Sequence, residues 1–282
     1  MRVIKVLCLL GGLGALPGCS ADGGTHSGHA QAGSVQRVGA GHRVQNIVGG
    51  TKVSNGDPIA LATVALMQPD GWSFCSGTLI DRRHVVTAAH CLADYKEDEL
   101  YVGFGTDVGS AGNLVPGSSP TSILLRLASD YVINNGFDPS TAGQMHPSHA
   151  PHDIALLTLG EDAPTGYVPM PMLTAADALN IGEPLILAGF GLSDADGEGP
   201  GQLRQVTTTL VGVWPAAEEI EYGDTPGKSA CNGDSGGPAY VTRGGTIKLV
   251  GVTSRGITGC GAGGIYTDVR SHQAWLEQAA QG

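Results

Sequence analysis

GDSGGP, at positions 233–238, is the stretch that decides which fold we expect of this chain. Its serine, Ser235, carries an alcohol that is a poor nucleophile at neutral pH. Acyl transfer therefore needs an imidazole to take the proton and a carboxylate to orient that imidazole. Further towards the N-terminus the carboxylate is in HDIALL at positions 152–157, and the imidazole is in TAAHC at positions 87–91. A fourth stretch, IVGG at positions 47–50, stands at the head of the globular part of the chain.

Together the four stretches resemble the trypsin and chymotrypsin family of serine endopeptidases, and the resemblance extends over residues 47–282. It implies hydrolysis of peptide bonds through an acyl-enzyme intermediate. It also implies an all-β fold with two antiparallel six-stranded β-barrels side by side, the active site in the cleft between them and a C-terminal helix on the outside. We therefore expect an N-terminal barrel over residues 47–168 and a C-terminal barrel with the terminal helix over residues 169–282.

The composition and the hydrophobic pattern agree with many short strands. The chain has 45 glycines and 16 prolines but only 4 phenylalanines. Short apolar runs recur between turn signals, which favours an all-β sandwich or a pair of barrels, and this pattern alone does not choose between them. Only residues 271–280 show a helical pattern. A proline-rich stretch over residues 163–171 divides the strands about in half and is interpreted as the connection between two barrels.

The N-terminal residues predict export. Residues 1–18 combine a basic start, an apolar run and a small-residue end, which is typical of a signal peptide. The run ends in LPGC, which resembles a bacterial lipobox with Cys19 as the lipidated residue; the alternative is ordinary signal cleavage near Ser20 or Ala21. Residues 19–46 are poor in aliphatic side chains and predict a flexible tether and propeptide. The protein is therefore expected to be exported, either secreted or lipid-anchored at the cell envelope.

The cysteines fit an oxidising compartment. Of the six, Cys8 lies in the signal and Cys19 at its end, so four remain for the exported domain. An even number predicts two disulfides, for which three pairings are possible. The family resemblance selects Cys75 with Cys91 and Cys231 with Cys260.

The resemblance implies a role for each residue of the catalytic group. Ser235 is the expected nucleophile, His90 the general base and later the general acid, and Asp153 the carboxylate that fixes the imidazole tautomer. The backbone N–H groups of Gly233 and Ser235 are expected to form the oxyanion hole. Glycine at position 233 permits this because it has no Cβ atom to clash when the peptide turns.

The resemblance gives Asp234 a role in activation. Cleavage before Ile47 would free an α-ammonium that pairs with Asp234 and orders the oxyanion hole. The sequence departs from the family pattern here, because Asn46 stands where animal zymogens carry Arg or Lys, and the nearest upstream basic residue is Arg43. Either the activating protease accepts Asn, or trimming follows a first cut.

By the same resemblance the primary substrate pocket has Ser229 at its floor and Gly256 and Gly264 as its walls. No carboxylate stands at the floor to pair with Arg or Lys, so we expect a preference for large apolar or aromatic side chains. Ser254 matches the serine whose hydroxyl helps hold the triad carboxylate. Arg255 stands where the family commonly has an aromatic residue. Two interpretations stay open for it, a subsite that favours acidic peptide side chains and an arginine that lies over the surface.

Composition also bears on cofactors and partners. A formal net charge of −11 provides no basic face, so no nucleic-acid partner is expected. His146, His149 and His152 are spaced by three, but Pro147 and Pro151 interrupt any helix, so a solvated loop is expected there, with no metal and no cofactor. The expected partners are a protein or peptide substrate, an activating protease and, if the lipobox is used, a membrane. The protein is expected to be a monomer.

Two other functions stay open from sequence. GDSGG also fits the nucleophile elbow of an α/β-hydrolase esterase, but only Asp268 and His272 follow the serine and the alternating helices are missing. A non-catalytic binding module on the same scaffold is the second alternative. Loss of a triad residue normally marks such relatives, and none is lost here.

Overall fold

The computed structural model describes residues 47–96, 99–109, 124–141, 151–192, 201–223, 225–257, 260 and 262–282. The predicted signal peptide (residues 1–18) and the predicted tether and propeptide (residues 19–46) lie outside the described residues. So does the candidate lipidation site, Cys19.

Short apolar runs between turns form thirteen strands in the described residues, together with one α-helix and two 3-10 turns. The strands are β1 (Thr51–Lys52), β2 (Thr63–Met67), β3 (Ser73–Leu79), β4 (His84–Thr87), β5 (Tyr101–Phe104), β6 (Leu124–Ile133), β7 (Ala155–Leu159), β8 (Pro184–Gly189), β9 (Arg204–Trp214), β10 (Glu219–Gly223), β11 (Pro238–Arg243), β12 (Thr246–Gly256) and β13 (Gly264–Asp268). The helix α1 spans Gln273–Ala279, and the 3-10 turns span Ala89–Cys91 and Pro139–Thr141. No helix in the described ranges has the length and apolar character needed to cross a membrane.

Six strands close the first barrel in the order β2-β3-β4-β7-β6-β5, and β5 pairs back to β2. All of its strand pairs are antiparallel. β2 reads TVALM and is buried throughout, which suits β-branched and apolar side chains packed on both sides of a strand. Closure into a barrel removes the unpaired strand edges that an open sheet would leave.

The second barrel follows the order β8-β9-β10-β13-β12-β11 and closes through the pairing of β11 with β8. Along β9 the central residues alternate between buried and more exposed, which is the period of two expected of a strand with one covered face. The expected architecture of two antiparallel six-stranded barrels with a C-terminal helix is therefore confirmed. Such a fold does not support the α/β-hydrolase alternative, which needs helices alternating with parallel strands.

The two ends of the described chain each pack on the opposite barrel. Ile47 is buried in one cluster with Leu185 and other residues of the second barrel, and β1 pairs with β9. Leu276 of α1 belongs to the same buried cluster as Leu157 of the first barrel. The predicted domain boundary lies in the connection between β7 and β8 and stays a prediction.

Candidate active site

His90 lies just after the end of β4. The strand ends at Thr87, and the chain then makes the 3-10 turn that carries His90. Its neighbours Ala89 and Cys91 are buried whereas the His90 side chain is 36% exposed, so the imidazole lies partly covered at the surface of the barrel. A disulfide between Cys75 and Cys91 fastens this turn to β3. On the chain-entropy model a crosslink of this span is worth about 3 kcal/mol.

Asp153 contacts His90 in two ways. The His90 Nδ1 atom lies 2.8 Å from Asp153 Oδ2, and the His90 backbone N–H donates to Asp153 Oδ1 at 3.0 Å. The Ser254 hydroxyl donates to Asp153 Oδ2 at 2.7 Å. Because a carboxylate only accepts hydrogen bonds, it selects the imidazole tautomer with its proton on Nδ1. The Nε2 atom of His90 is then left with a lone pair, which is what a general base requires.

The electrostatics of the pair agree with this arrangement. Burial by itself would raise the pKa of Asp153, but the hydrogen bonds from His90 and Ser254 and the charge of His90 outweigh burial and hold that pKa below its usual value. Burial by itself would lower the pKa of His90, but the hydrogen bond to Asp153 and its negative charge raise it instead. Asp153 therefore stabilises a protonated His90, as a general base needs when it has accepted a proton.

Ser235 lies in a tight loop clamped between the barrels. Its carbonyl accepts from Ser76 N–H of the first barrel at 2.8 Å, and the next residue, Gly236, donates to Thr253 of the second barrel at 2.9 Å. Gly236 has φ +74°, and a Cβ atom there would collide with Thr87 and with the Ser76 carbonyl. Only glycine fits this close approach, so the glycine after the serine fixes where Ser235 sits.

Four successive backbone N–H groups surround the Ser235 side chain. Two of them are used, since Asp234 N–H donates to Cys231 O and Gly236 N–H donates to Thr253 O. The other two, those of Gly233 and Ser235, have no partner within the described residues, and an oxyanion needs two donors of this kind. Gly233 has φ +91°, which glycine adopts readily.

Ser235 and His90 face neighbouring cavities. Ser235 lines the first, His90, Asp153 and Ser254 line the second, and Arg255 lines both. Within the described ranges no hydrogen bond joins Ser235 Oγ to His90 Nε2, and that nitrogen lies 3.8 Å from Cys91 Sγ. Catalytic hydrogen bonds are often long in enzymes without substrate and shorten when substrate binds.

Asp234 is a fully buried carboxyl group beneath the Ser235 loop. Its oxygens accept from Cys231 N–H at 2.8 Å and from Gly191 N–H at 2.9 Å. Burial outweighs these two hydrogen bonds and raises its pKa to about 7. No cationic side chain pairs with it in the described part of the chain. Asp234 is thus a site that would gain from a buried positive charge.

Ile47 already packs against the second barrel in this uncleaved chain. Its side chain is 1% exposed and its backbone has φ +32°, an uncommon value for a β-branched residue. The following residue, Val48, forms a β-bridge with Ser229, which is in the segment that leads to Asp234. The N-terminal segment and the Ser235 loop are therefore physically connected.

The cavity beside Ser235 has a volume of about 250 Å³. It is lined by Tyr222, Ala230, Cys231, Asn232, Ser235, Thr253, Arg255, Gly256 and Cys260. A disulfide joins Cys231 to Cys260, the second of the pairs that the resemblance selects, and both cysteines line the cavity. Among these lining residues there is no carboxylate.

Tyr222 was missed by the sequence reasoning, and it contacts the predicted pocket floor, Ser229. Tyr222 is among the residues that line the cavity although it is only 1% exposed, and its hydroxyl lies 3.0 Å from Oγ of the fully buried Ser229. Ala230 N–H donates to the same hydroxyl at 2.9 Å. A Cβ atom at Gly264 would lie 2.8 Å from the Tyr222 ring, so glycine there makes room for it. No sequence motif pointed to this tyrosine.

Arg255 takes part in a buried ion pair. Its Nη1 and Nη2 atoms lie 2.6 and 2.9 Å from the two carboxylate oxygens of Glu219. Nη1 also lies 3.2 Å from Ser254 Oγ. The side chain is 10% exposed, so it does not simply lie over the surface as one of the two sequence interpretations had it. A chain of contacts thus runs from Glu219 through Arg255 and Ser254 to Asp153.

Comparison with known proteins agrees with the geometry. The family model described as Trypsin matches residues 47–276. Over 229 residues the chain is 30% identical to Trypsin alpha-4 of Lucilia cuprina, covering 76% of this chain and 80% of that protein. Over 226 residues it is 30% identical to Trypsin of Saccharopolyspora erythraea, covering 74% and 88%.

A solved structure supports the fold. Human heparin binding protein superposes with a TM-score of 0.66 at 24% identity, covering 83% of this chain and 97% of that one. This likeness concerns the fold alone. With the family model spanning both barrels, the chain belongs to the trypsin family of serine endopeptidases.

Proposed function

We propose that this endopeptidase cleaves peptide bonds with Ser235 as nucleophile, His90 as general base and Asp153 as the orienting carboxylate. The observation that carries the proposal is the 2.8 Å contact between His90 Nδ1 and Asp153 Oδ2, which leaves the other ring nitrogen available to accept a proton. The clamped loop that carries Ser235 supports it, because backbone contacts to both barrels fix the position of the serine.

In the proposed reaction His90 Nε2 removes the Ser235 proton as the oxygen attacks the peptide carbonyl. The carbonyl oxygen gains negative charge and is stabilised by the N–H groups of Gly233 and Ser235. His90 then donates the proton to the leaving amine, which gives an acyl-enzyme, and a water activated by His90 releases the product acid. Asp153 keeps the imidazole in the tautomer that both steps need.

Peptide hydrolysis by the processed protein tests this proposal. Replacing His90 or Ser235 by alanine should remove nearly all turnover. Ser129→Ala is a matched control, because Ser129 is an exposed serine on β6. Retention of turnover in Ser235→Ala would contradict the proposal. Failure of the processed, unmodified protein to turn over any peptide would favour a non-catalytic binding module.

Activation is proposed to depend on cleavage before Ile47. The buried Asp234 carboxyl, with a pKa of about 7, would be stabilised as a carboxylate by the new α-ammonium, and this would order the loop that carries Gly233 and Ser235. An activating protease that accepts Asn46, or trimming after a cut at Arg43, would produce this terminus. N-terminal sequencing of active enzyme should therefore begin at Ile47. Full activity in a form that begins at Val44 would contradict the switch.

The proposed substrate preference is for large apolar or aromatic side chains. The pocket beside Ser235 has Gly256, which carries no side chain, in its described lining and no carboxylate there. An Arg or Lys side chain would lose its hydration there without gaining an ionic partner. Rates of cleavage after Phe, Leu and Arg in otherwise identical peptides test this, and a preference for Arg would contradict it.

Two disulfides are consistent with an extracellular protein. We propose further that the signal at residues 1–18 exports it and that it is either secreted or anchored through a lipid on Cys19. Intact-mass measurement of the exported protein distinguishes these outcomes, because acylation adds the mass of the lipid to a chain that begins at Cys19.

A further inference from the structure

Two histidines and one glutamate converge on the side of the molecule next to Asp153. His152 Nδ1 lies 3.2 Å from His272 Nε2 and 3.3 Å from Glu218 Oε2, and His272 Nε2 lies 3.2 Å from the same Glu218 oxygen. The three atoms therefore form a nearly equilateral triangle. Each residue contributes one atom, and the three come from segments far apart in sequence.

The backbone holds two of these residues in uncommon conformations. His152 has φ +48° and Glu218 has φ +53°, and both values are uncommon for residues other than glycine. A Cβ atom at Gly136 would collide with the His152 ring, so the glycine leaves room for the imidazole. The backbone conformations at His152 and Glu218 thus keep the three atoms close together.

Among the three atoms, more accept hydrogen bonds than donate them. His272 Nδ1 lies 3.0 Å from the Asp268 carbonyl, which only accepts hydrogen bonds, so the ring proton sits on Nδ1 and Nε2 carries a lone pair. The Glu218 carboxylate also only accepts. His272 Nε2 and the Glu218 oxygen thus both turn lone pairs towards His152 Nδ1, and a cation would satisfy all three atoms.

The distances fit a tetrahedral metal ion. Bonds of about 2.0 to 2.1 Å in tetrahedral geometry place ligand atoms about 3.3 to 3.4 Å apart, close to the separations seen here. Two imidazoles and one carboxylate are ligands that suit zinc, whereas calcium and magnesium prefer oxygen alone. The contact of His272 Nδ1 with a backbone carbonyl is the outer contact that metal-bound histidines usually make. We propose that His152, Glu218 and His272 bind one zinc ion, with a water as the fourth ligand.

Accessibility allows such a site to load. The side chain of His272 is 2% exposed, and those of His152 and Glu218 are 31% and 32% exposed. One face of the triangle is thus open to solvent, as a water ligand requires. The other described group with suitable residues consists of His90 with Cys75 and Cys91, whose sulfur atoms are joined in a disulfide.

This site differs from the one considered in the sequence and departs from the expectation that the protein binds no metal. Only His152 is shared, and His146 and His149 lie outside the described residues. The proposed ion would tie the residue before Asp153 to the turn between β9 and β10 and to the start of α1. It would thus connect the segment that carries the triad carboxylate to the second barrel.

Zinc binding to the full chain carrying Ser235→Ala, which prevents self-cleavage, tests the proposal. Adding His152→Asn or Glu218→Gln to this parent should give proteins that each bind one zinc equivalent fewer, or bind it more than about 100-fold more weakly. Loss of a residue that only contacts a metal ligand already lowers metal affinity about 10- to 100-fold, so loss of a ligand should lower it more. Asn tolerates the positive φ at position 152. His84→Asn is the matched control, because His84 pairs with a single carboxylate, Asp81, and should keep the full stoichiometry.

A second readout reports the geometry. Cobalt(II) in place of zinc should give the intense visible absorption of a four-coordinate ion in the parent and in His84→Asn, and lose it in His152→Asn. Zinc should also raise the melting temperature of the parent more than that of either ligand variant, since it binds the folded chain preferentially. An unchanged stoichiometry and affinity in both ligand variants, or no zinc bound by the parent, would overturn the proposal.

Discussion

The carboxylate of Glu219, completely buried, holds the guanidinium of Arg255 through both of its oxygens. Arg255 in turn contacts the hydroxyl of Ser254, which donates to Asp153. The Glu219–Arg255 ion pair on the second barrel therefore supports the hydrogen bond from Ser254 that holds Asp153, the proposed triad carboxylate. Such a pair contributes little net stability when intact, but removing one partner leaves the other as an isolated charge.

Glu219→Ala should therefore destabilise the protein by about 3 to 5 kcal/mol in denaturant unfolding. The matched control is Asp162→Ala, which removes the carboxylate from an exposed pair with Arg82 and should cost about 0 to 1 kcal/mol. Replacing both members of the buried pair by apolar residues of similar size, as in Glu219→Leu with Arg255→Met, should recover part of the loss. Equal losses for the buried and the exposed pair would contradict this account.

Gly236→Ala should destabilise the loop that carries Ser235. Gly236 has φ +74°, and its new Cβ atom would meet Thr87 and the Ser76 carbonyl. Gly56→Ala is the control, because Gly56 has φ +85° with no atom within 4 Å of the added Cβ. The control should lose about 1 to 2 kcal/mol for its backbone conformation alone, and Gly236→Ala should lose clearly more, together with turnover. Similar losses at both sites would show that close packing at Gly236 is unimportant.

Asp234 should make the uncleaved chain lose stability as the pH rises. The pKa of Asp234 is about 7 in the folded chain against 3.8 for the ordinary group, so between these values the unfolded chain has lost a proton that the folded chain keeps. The contribution of Asp234 to stability then falls from about pH 3.8 to about pH 7 and levels off above. In the form that begins at Ile47, pairing with the α-ammonium should remove this fall. Melting temperatures of both forms, each carrying Ser235→Ala, measure the difference, and parallel profiles would argue against the pairing.

The acid limb of the activity profile should lie above pH 6.5. In the proposed reaction His90 must be neutral to accept the Ser235 proton, and Asp153 raises the His90 pKa above its ordinary value of 6.5. Activity should therefore fall as the pH drops through the raised pKa. Asp153→Asn should move this limb to lower pH and reduce turnover by about 10⁴-fold, a magnitude taken from the reference triad of this family. A limb that does not move in Asp153→Asn would mean that it reports another group.

Ser229→Asp should not create a preference for Arg. Ser229 is completely buried and its Oγ contacts the hydroxyl of the buried Tyr222, so the new carboxylate would be placed in the core and not at the surface of the cavity. We expect lower stability and no gain in cleavage after Arg relative to Phe. Efficient cleavage after Arg by this variant would show that Ser229 is the accessible floor of the pocket.

The sequence was informative wherever a function needs a local motif. The stretches around His90, Asp153 and Ser235 led through the family resemblance to the two barrels and to the contact between His90 and Asp153. Residues that matter only because the fold brings them together from distant positions in the sequence were not predictable. Arg255 and Glu219 are 36 positions apart, and His152 and His272 are 120 apart, with no motif that joins the two members of either pair. Tyr222 contacts Ser229 and packs where Gly264 leaves room for its ring.

The most direct measurement is labelling of the processed protein with an organofluorophosphate, followed by peptide mapping of the modified residue. An activated serine reacts with this reagent whereas ordinary surface serines do not. The account predicts one label per chain, on Ser235, and none in Ser235→Ala or His90→Ala. A label on any other serine, or no label on processed protein whose N-terminus is Ile47, would contradict it.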